Sequence, residues 1–290
     1  MIMALAVGLT VTACQKVSLD ADSEEDVIEQ TAKTKKFTFT CKGDFSNEWK
    51  PVTRGYLQAD GRDLTDVWVL DYMDGNLIQQ LHQTDNTAED FGKPVMQLKY
   101  GNHHVYLIAS RGQSPTIDTE NHTITFAKVY DTFYKDYEVN VVSTSNGNRA
   151  VTLDRHITKL RLEFTDAVPD GTGSINVTPA VWYYGFDYVT GEPCAAANNQ
   201  TIVINVPAST YGMTGQGANV FGFSTAEQWT TNISFNSKNT NGDIIGQATI
   251  EDAPFKRNRV TCYTGPLFGS SGSMTLSLND SWSPQYDGVW

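Results

Sequence analysis

The chain has 290 residues, with 21 Lys and Arg against 33 Asp and Glu, a net charge of −12. A field of that sign repels nucleic-acid phosphates and anionic lipid headgroups, so no nucleic acid is expected among its partners. Aromatics at 11%, charged residues at 19% and 23 glycines match a β-rich extracytoplasmic protein better than a helical enzyme.

The chain opens on an apolar run, Ile2 to Leu9, followed by Val11-Thr12-Ala13-Cys14. The run is too short for a bilayer span, which takes about 20 apolar residues. It reads as the apolar region of a signal peptide. An aliphatic residue, two small residues and a cysteine form a lipobox, so Cys14 is expected to be acylated and to become the first mature residue. Met1–Ala13 carries no Lys or Arg, the charge a signal normally supplies at its start. The apolar run and the lipobox carry this reading alone. Residues 1–13 are thus the signal peptide, and 14–34 a polar tether. Asp20, Asp22, Glu24, Glu25 and Asp26 make the tether acidic, and such a segment buries too little surface to order itself. It is not a calcium loop of the EF-hand type: the sixth residue from Asp20 is Glu25 and the twelfth Thr31, where Gly and Glu are needed.

Period-two alternation then takes over. Strands are expected at Lys36–Lys42, with Phe37 and Phe39 on one face, and at Val67–Tyr72, apolar on both faces at its start. Others follow at His104–Ser110, Glu138–Val142, Leu160–Phe164 and Ile202–Val206. Ile233–Phe235 leads through the hairpin dipeptide Asn241-Gly242 to Ile244–Ile250, and Met274–Leu278 ends the series. No long stretch has a helical period. Many short strands separated by turn residues predict an all-β protein of antiparallel sandwiches. Two sandwich domains fit the length, 35–150 and 151–290, with the boundary near Asn148–Arg155.

Little in the sequence suggests catalysis. His103 and His104 are adjacent, so on a strand they point to opposite faces and cannot share a metal ion. No His-x-x-x-His occurs, and no metal site or cofactor is expected. Gly269-Ser270-Ser271-Gly272-Ser273 lacks the last glycine of a nucleophile elbow, and no phosphate-binding Gly-x-x-x-x-Gly-Lys is present. Of the four cysteines, Cys14 is assigned to lipidation; Cys41, Cys194 and Cys262 are read as half-buried thiols, with one bridge possible. Trp182-Tyr183-Tyr184-Gly185-Phe186 is the densest aromatic cluster. Buried, it would be sandwich core or packing between domains. Exposed, Trp182, Tyr183 and Tyr184 would form a contact surface for sugar rings, and the chain would be a surface glycan-binding lipoprotein.

Five stretches together resemble the Bacteroidetes fimbrillin family, the builders of type V pili. They are the lipobox with its tether, Thr65–Tyr72, Gly101–Ser110, Val151–Arg155 with Thr158–Leu162, and Lys256–Thr261 with Gly265–Phe268. The resemblance implies two tandem transthyretin-like, Greek-key β-sandwiches. It also implies a fimbrial subunit of the cell surface, lipid-anchored to the outer membrane through Cys14. Other fimbrial subunits would be partners through β-strand addition, and host or bacterial surface receptors further ones. In that family a protease removes the N-terminal segment of shaft subunits, usually after an Arg, whereas an anchor keeps it. Between Cys14 and Pro51 this chain has no Arg; the first is Arg54. Maturation at Arg54 or at Lys36 would make a stalk or tip subunit. The Arg-free segment favours an anchor or accessory subunit.

Overall fold

The computed structural model describes residues 33–44, 64–111, 115–269 and 274–279. The lipobox, nearly all of the tether, Arg54 and most of the Gly269–Ser273 stretch lie outside them. The described residues form strands β1 (Thr34–Gly43), β2 (Leu64–Met73), β3 (Asn76–Gln83), β4 (Val95–Lys99), β5 (Gly101–Arg111), β6 (Thr116–Asp118), β7 (Thr123–Thr125), β8 (Thr132–Val141) and β9 (Asn148–Arg155). The second half adds β10 (Ile157–Phe164), β11 (Thr172–Pro179), β12 (Val181–Asp187), β13 (Pro193–Asn198), β14 (Ile202–Asn205), β15 (Gln216–Phe223), β16 (Trp229–Asn239), β17 (Ile244–Phe255), β18 (Val260–Gly265) and β19 (Thr275–Asn279). One 3-10 turn spans Ala208–Thr210. The protein is all-β, as its alternation predicts.

A seven-stranded sheet has the order β3-β2-β5-β8-β9-β1-β4. Its two arms meet at the junction of β8 and β9, which pairs Phe133 with Arg155 and Tyr134 with Asp154. The first core fills the space between the arms: Phe37, Phe39, Met96, Leu98, Val151 and Leu153 pack against Val67, Val69, Val105, Leu107 and Phe133. The second core joins two four-stranded sheets, β15-β10-β18-β19 and β14-β11-β16-β17. Leu160, Leu162, Phe164, Ile175, Val177, Ile233 and Phe235 are among its members. In each half the first strand pairs in parallel with a late one, β1 with β9 and β10 with β18. The other pairings are antiparallel, which makes this sandwich-like packing in tandem.

A third core lies between the halves. Leu70, Tyr72, Tyr106 and Ile108, on the outer face of β2 and β5, meet Ile124, Phe186, Tyr188, Ile157 and Phe223. Strand β2 is therefore buried on both faces, which explains why its text reads as continuous apolar residues rather than strict alternation. The layer is held by a fourth sheet, β13-β12-β7-β6, whose strands come from both halves of the chain.

The sequence places a domain boundary at Asn148–Arg155; the structure makes that segment strand β9. The chain passes to the next sheet at His156. Arg155, 1% exposed, forks onto Asp131 at 2.7 and 2.8 Å, and its guanidinium lies 4.9 Å from the Phe133 ring centre. Buried bidentate pairing of this kind satisfies both charges and fixes geometry. His156 donates to the Gly191 carbonyl at 3.0 Å, and Arg257 donates to the same oxygen. Burial, then the Arg257 charge, depresses the His156 pKa to about 3, so this imidazole is neutral.

Close approach explains Gly185. A Cβ there would sit 2.4 Å from the Ile124 carbonyl oxygen and 2.9 Å from a Thr125 methyl, on the β12–β7 pairing. Backbone cannot yield as a side-chain tip does. Gly185→Ala is expected to destabilise the fold by roughly 1–3 kcal/mol, read as a lower urea midpoint. An unchanged midpoint would show that β7 and β12 are not held this tightly.

Candidate functional site

The element that sequence reasoning ties to function is β1. Its text Lys36-Phe37-Thr38-Phe39-Thr40-Cys41-Lys42 alternates, and Phe37, Phe39 and Cys41 are buried to 0, 0 and 2% exposure. Phe37 and Phe39 stack at 6.1 Å, and Tyr137 meets Phe39 edge-on at 5.8 Å. Each phenylalanine contributes about 1.5–3 kcal/mol by leaving water. Burial pushes the Cys41 thiol up to about 12.

The two flanks of β1 are offset. Thr34–Thr38 pair antiparallel with β4, and Thr38–Gly43 pair in parallel with β9. Beyond β4, the Phe39 amide donates to Pro94 O at 3.0 Å and the Cys41 amide to Gly92 O at 2.9 Å. Thr38 donates to Gly147 O at 2.7 Å. A Cβ on Gly147 would lie 2.1 Å from the Lys36 carbonyl, so glycine is required for this approach. Lys36 itself is exposed and lies within the strand, not before it.

The aromatic cluster of β12 is placed differently from a sugar-binding surface. Trp182 is 1% exposed. It meets Phe255 edge-on at 5.0 Å, lies 6.4 Å from Trp229, and donates its indole N–H to Phe221 O at 2.9 Å. Tyr183 and Tyr184 are half-buried; Tyr183 packs edge-on against Trp229 at 5.4 Å. Of the two readings the sequence leaves open, packing holds for Trp182, which is buried; Tyr183 and Tyr184 are only partly covered. Trp182 and Phe186 point the same way along β12, Trp182 into the second core and Phe186 into the third. Tyr184 between them touches both.

The adjacent histidines separate as strand geometry requires. His103, 1% exposed, bonds Asp71 at 2.6 Å through Nδ1 and Lys99 O at 2.8 Å through Nε2. Two acceptors on two ring nitrogens mean an imidazolium. Asp71, 0% exposed, also accepts from Gln79 at 3.0 Å. The sequence carries one trace of this pair: Asp71 continues the Val67–Val69 register, an acid on an apolar face. Its partner was not legible, because it comes from the neighbouring strand. His104 lies on the opposite face, half-exposed, 3.2 Å from both Asp136 oxygens. Cys41, Cys194 and Cys262 are free thiols.

The chain matches no family model and no curated protein. Solved structures do resemble it at low identity. A Bacteroides ovatus protein described as an adhesin shares 12% identity at a TM-score of 0.49, over 84% of this chain and 96% of that one. The tip fimbrial protein Mfa3 of Porphyromonas gingivalis shares 11% at 0.45, over 85% and 100%. The fimbrial anchor protein Mfa2 of the same organism shares 8% at 0.42, over 80% and 91%.

The His103–Asp71 pair makes a pH prediction. Burial works to lower the His103 pKa, but the Asp71 hydrogen bond and charge, helped by Lys99 O and Asp74, outweigh it and raise the pKa above the ordinary 6.5. A raised folded value means that its stabilisation is complete below pH 6.5 and is lost as pH rises through the folded value. Urea midpoints of the wild type should fall across that rise, and His103→Gln should abolish the fall. Parallel profiles for the two proteins would refute a charged His103.

Proposed function

We propose that the chain is a cell-surface fimbrial subunit of two β-sandwich modules, tethered to the outer membrane by lipid on Cys14 and joined to other subunits by strand addition. The observation that carries this reading is β1, an N-terminal strand laid between β4 and β9 with Phe37, Phe39 and Cys41 in the core. A strand in that position is separable in principle: the groove it fills is lined by main-chain donors and acceptors on both sides and by apolar pockets at alternate positions. Those are the features an incoming strand would read.

Cleavage at the two candidate sites would have different consequences for β1. Cleavage after Lys36 would leave Phe37–Gly43 in the sheet and the groove closed. Cleavage at Arg54, beyond the strand, would release all of β1. Four edge strands support assembly by strand addition as well. Val95 on β4, Val203 on β14, Ile244 on β17 and Leu276 on β19 are each at least 42% exposed, whereas solitary proteins usually blunt such edges with charge. Between the two roles, the Arg-free stretch from Cys14 to Pro51 favours the anchor, which keeps its lipid and β1. Lipid attachment is strong enough for this: each buried methylene contributes about 0.8 kcal/mol, and stable anchoring takes more than one chain.

Intact mass and N-terminal sequencing of the protein extracted from native outer membranes test the reading. A chain beginning at acylated Cys14 is expected. A lipid-free chain beginning after Arg54 would replace the anchor with a polymerising or tip subunit. A chain without lipid that still retains β1 would overturn the proposal.

A further inference from the structure

The outer face of the β2–β5–β8 sheet brings together side chains that lie far apart in sequence. His104 and Tyr106 alternate on β5, and Asp136 and Glu138 on β8. The register sets His104 opposite Glu138 and Tyr106 opposite Asp136, so all four share one face as cross-strand neighbours. One donor atom each from His104, Asp136 and Glu138 falls within 4.8 Å of the other two. We propose that these three residues form a binding site for a divalent transition-metal ion of the Zn2+ class, a site distinct from the assembly strand and independent of the fimbrial reading.

Zn2+ takes imidazole nitrogen and carboxylate oxygen at about 2.0–2.2 Å, which leaves neighbouring donors roughly 3 Å apart in a tetrahedral or octahedral shell. His104 Nδ1 and the Asp136 oxygens are already 3.2 Å apart. Glu138 is exposed on a strand, and a side-chain rotation closes the trio. The imidazole is oriented before any ion arrives: its ring lies over Tyr106 at 6.1 Å with 23° between planes. Both strands are interior to a seven-stranded sheet, so the backbone beneath the donors is rigid.

Charge argues in the same direction. Two carboxylates face one histidine. The nearest cation along β8, Lys135, alternates to the other side and is engaged by Asp154 at 3.0 Å. The Tyr106 side wall is 4% exposed. Three protein donors leave further coordination positions open to water, the pattern of an accessible site rather than a closed structural one. His103 faces away from this site, and the second and third donors come from the next strand.

The test is a titration of the tag-free, full-length protein with ZnCl2 by calorimetry, and with CoCl2 by visible absorption, in a non-chelating buffer. Saturable binding of one ion per chain is expected, with a cobalt spectrum showing nitrogen and oxygen ligands. His104→Ala and Asp136→Asn should each weaken binding by about tenfold or more, while His122→Ala leaves it unchanged. Metal-free melting curves of the variants, matched to wild type, separate loss of ligand from loss of fold. Should His104→Ala melt early, Glu138→Gln replaces it, since that side chain is exposed. Absence of saturable binding, or equal affinity in the His104 and Asp136 variants, would overturn the proposal.

Discussion

Strand β12 is the constraint on which the molecule depends. Its even-numbered side chains run from one core to another: Trp182 lies against Phe255, Phe186 against Phe223 and His156, and Tyr184 spans the gap. A helix or loop at this position would bury one end only. A strand with a rise of about 3.3 Å per residue reaches both within five residues. Its backbone is equally committed, to β13 on one side and to β7, from the first half of the chain, on the other. The glycine at 185 is what lets β7 come this close. Tyrosine hydroxyls complete the joint: Tyr72 and Tyr188 share a hydrogen bond of 2.7 Å, and Tyr134 donates to the Tyr188 carbonyl at 2.6 Å. The two sandwich-like bodies are thus joined through a packed layer rather than a bare linker.

Much of this was legible in residue order. Lys36–Lys42 and Leu160–Phe164 alternate cleanly because each has one buried and one wetter face, and each is a strand; Ile244–Ile250 is a strand as well, at a sheet edge, with Ile244 exposed and Ile250 buried. Alternation failed where burial is not one-sided. Strand β12 has Trp182 and Phe186 in different cores, with Gly185 between, so no period stands out. Strand β9 alternates well, and the turn before it brings it back beside β1, a pairing between residues more than a hundred positions apart. The aromatic cluster was legible as packing or surface but not as one of the two, because exposure is decided by what lies across from it.

The polar pairs were invisible for a related reason. Asp71 with His103, and His104 with Asp136 and Glu138, join different strands, and Asp131, just before β8, joins Arg155 on β9. Their proximity is a property of register, and register is fixed by turns and by the core rather than by the residues themselves. Once the hairpins are known, each pair follows from counting along the ladder. The two adjacent histidines illustrate both halves of the lesson: strand geometry alone separated them, and only the neighbouring strands supplied their partners.

The position of Cys41 has a consequence for measurement. Its thiol is buried beneath the sheet, and thiolate, the reactive form, is suppressed there well beyond the ordinary range. Modification therefore requires β1 to lift away from β9. The rate at which an alkylating reagent consumes this sulfur is then a clock for that opening, with the chain at rest and no partner added. The protein carries its own reporter of how firmly the strand between β4 and β9 is held.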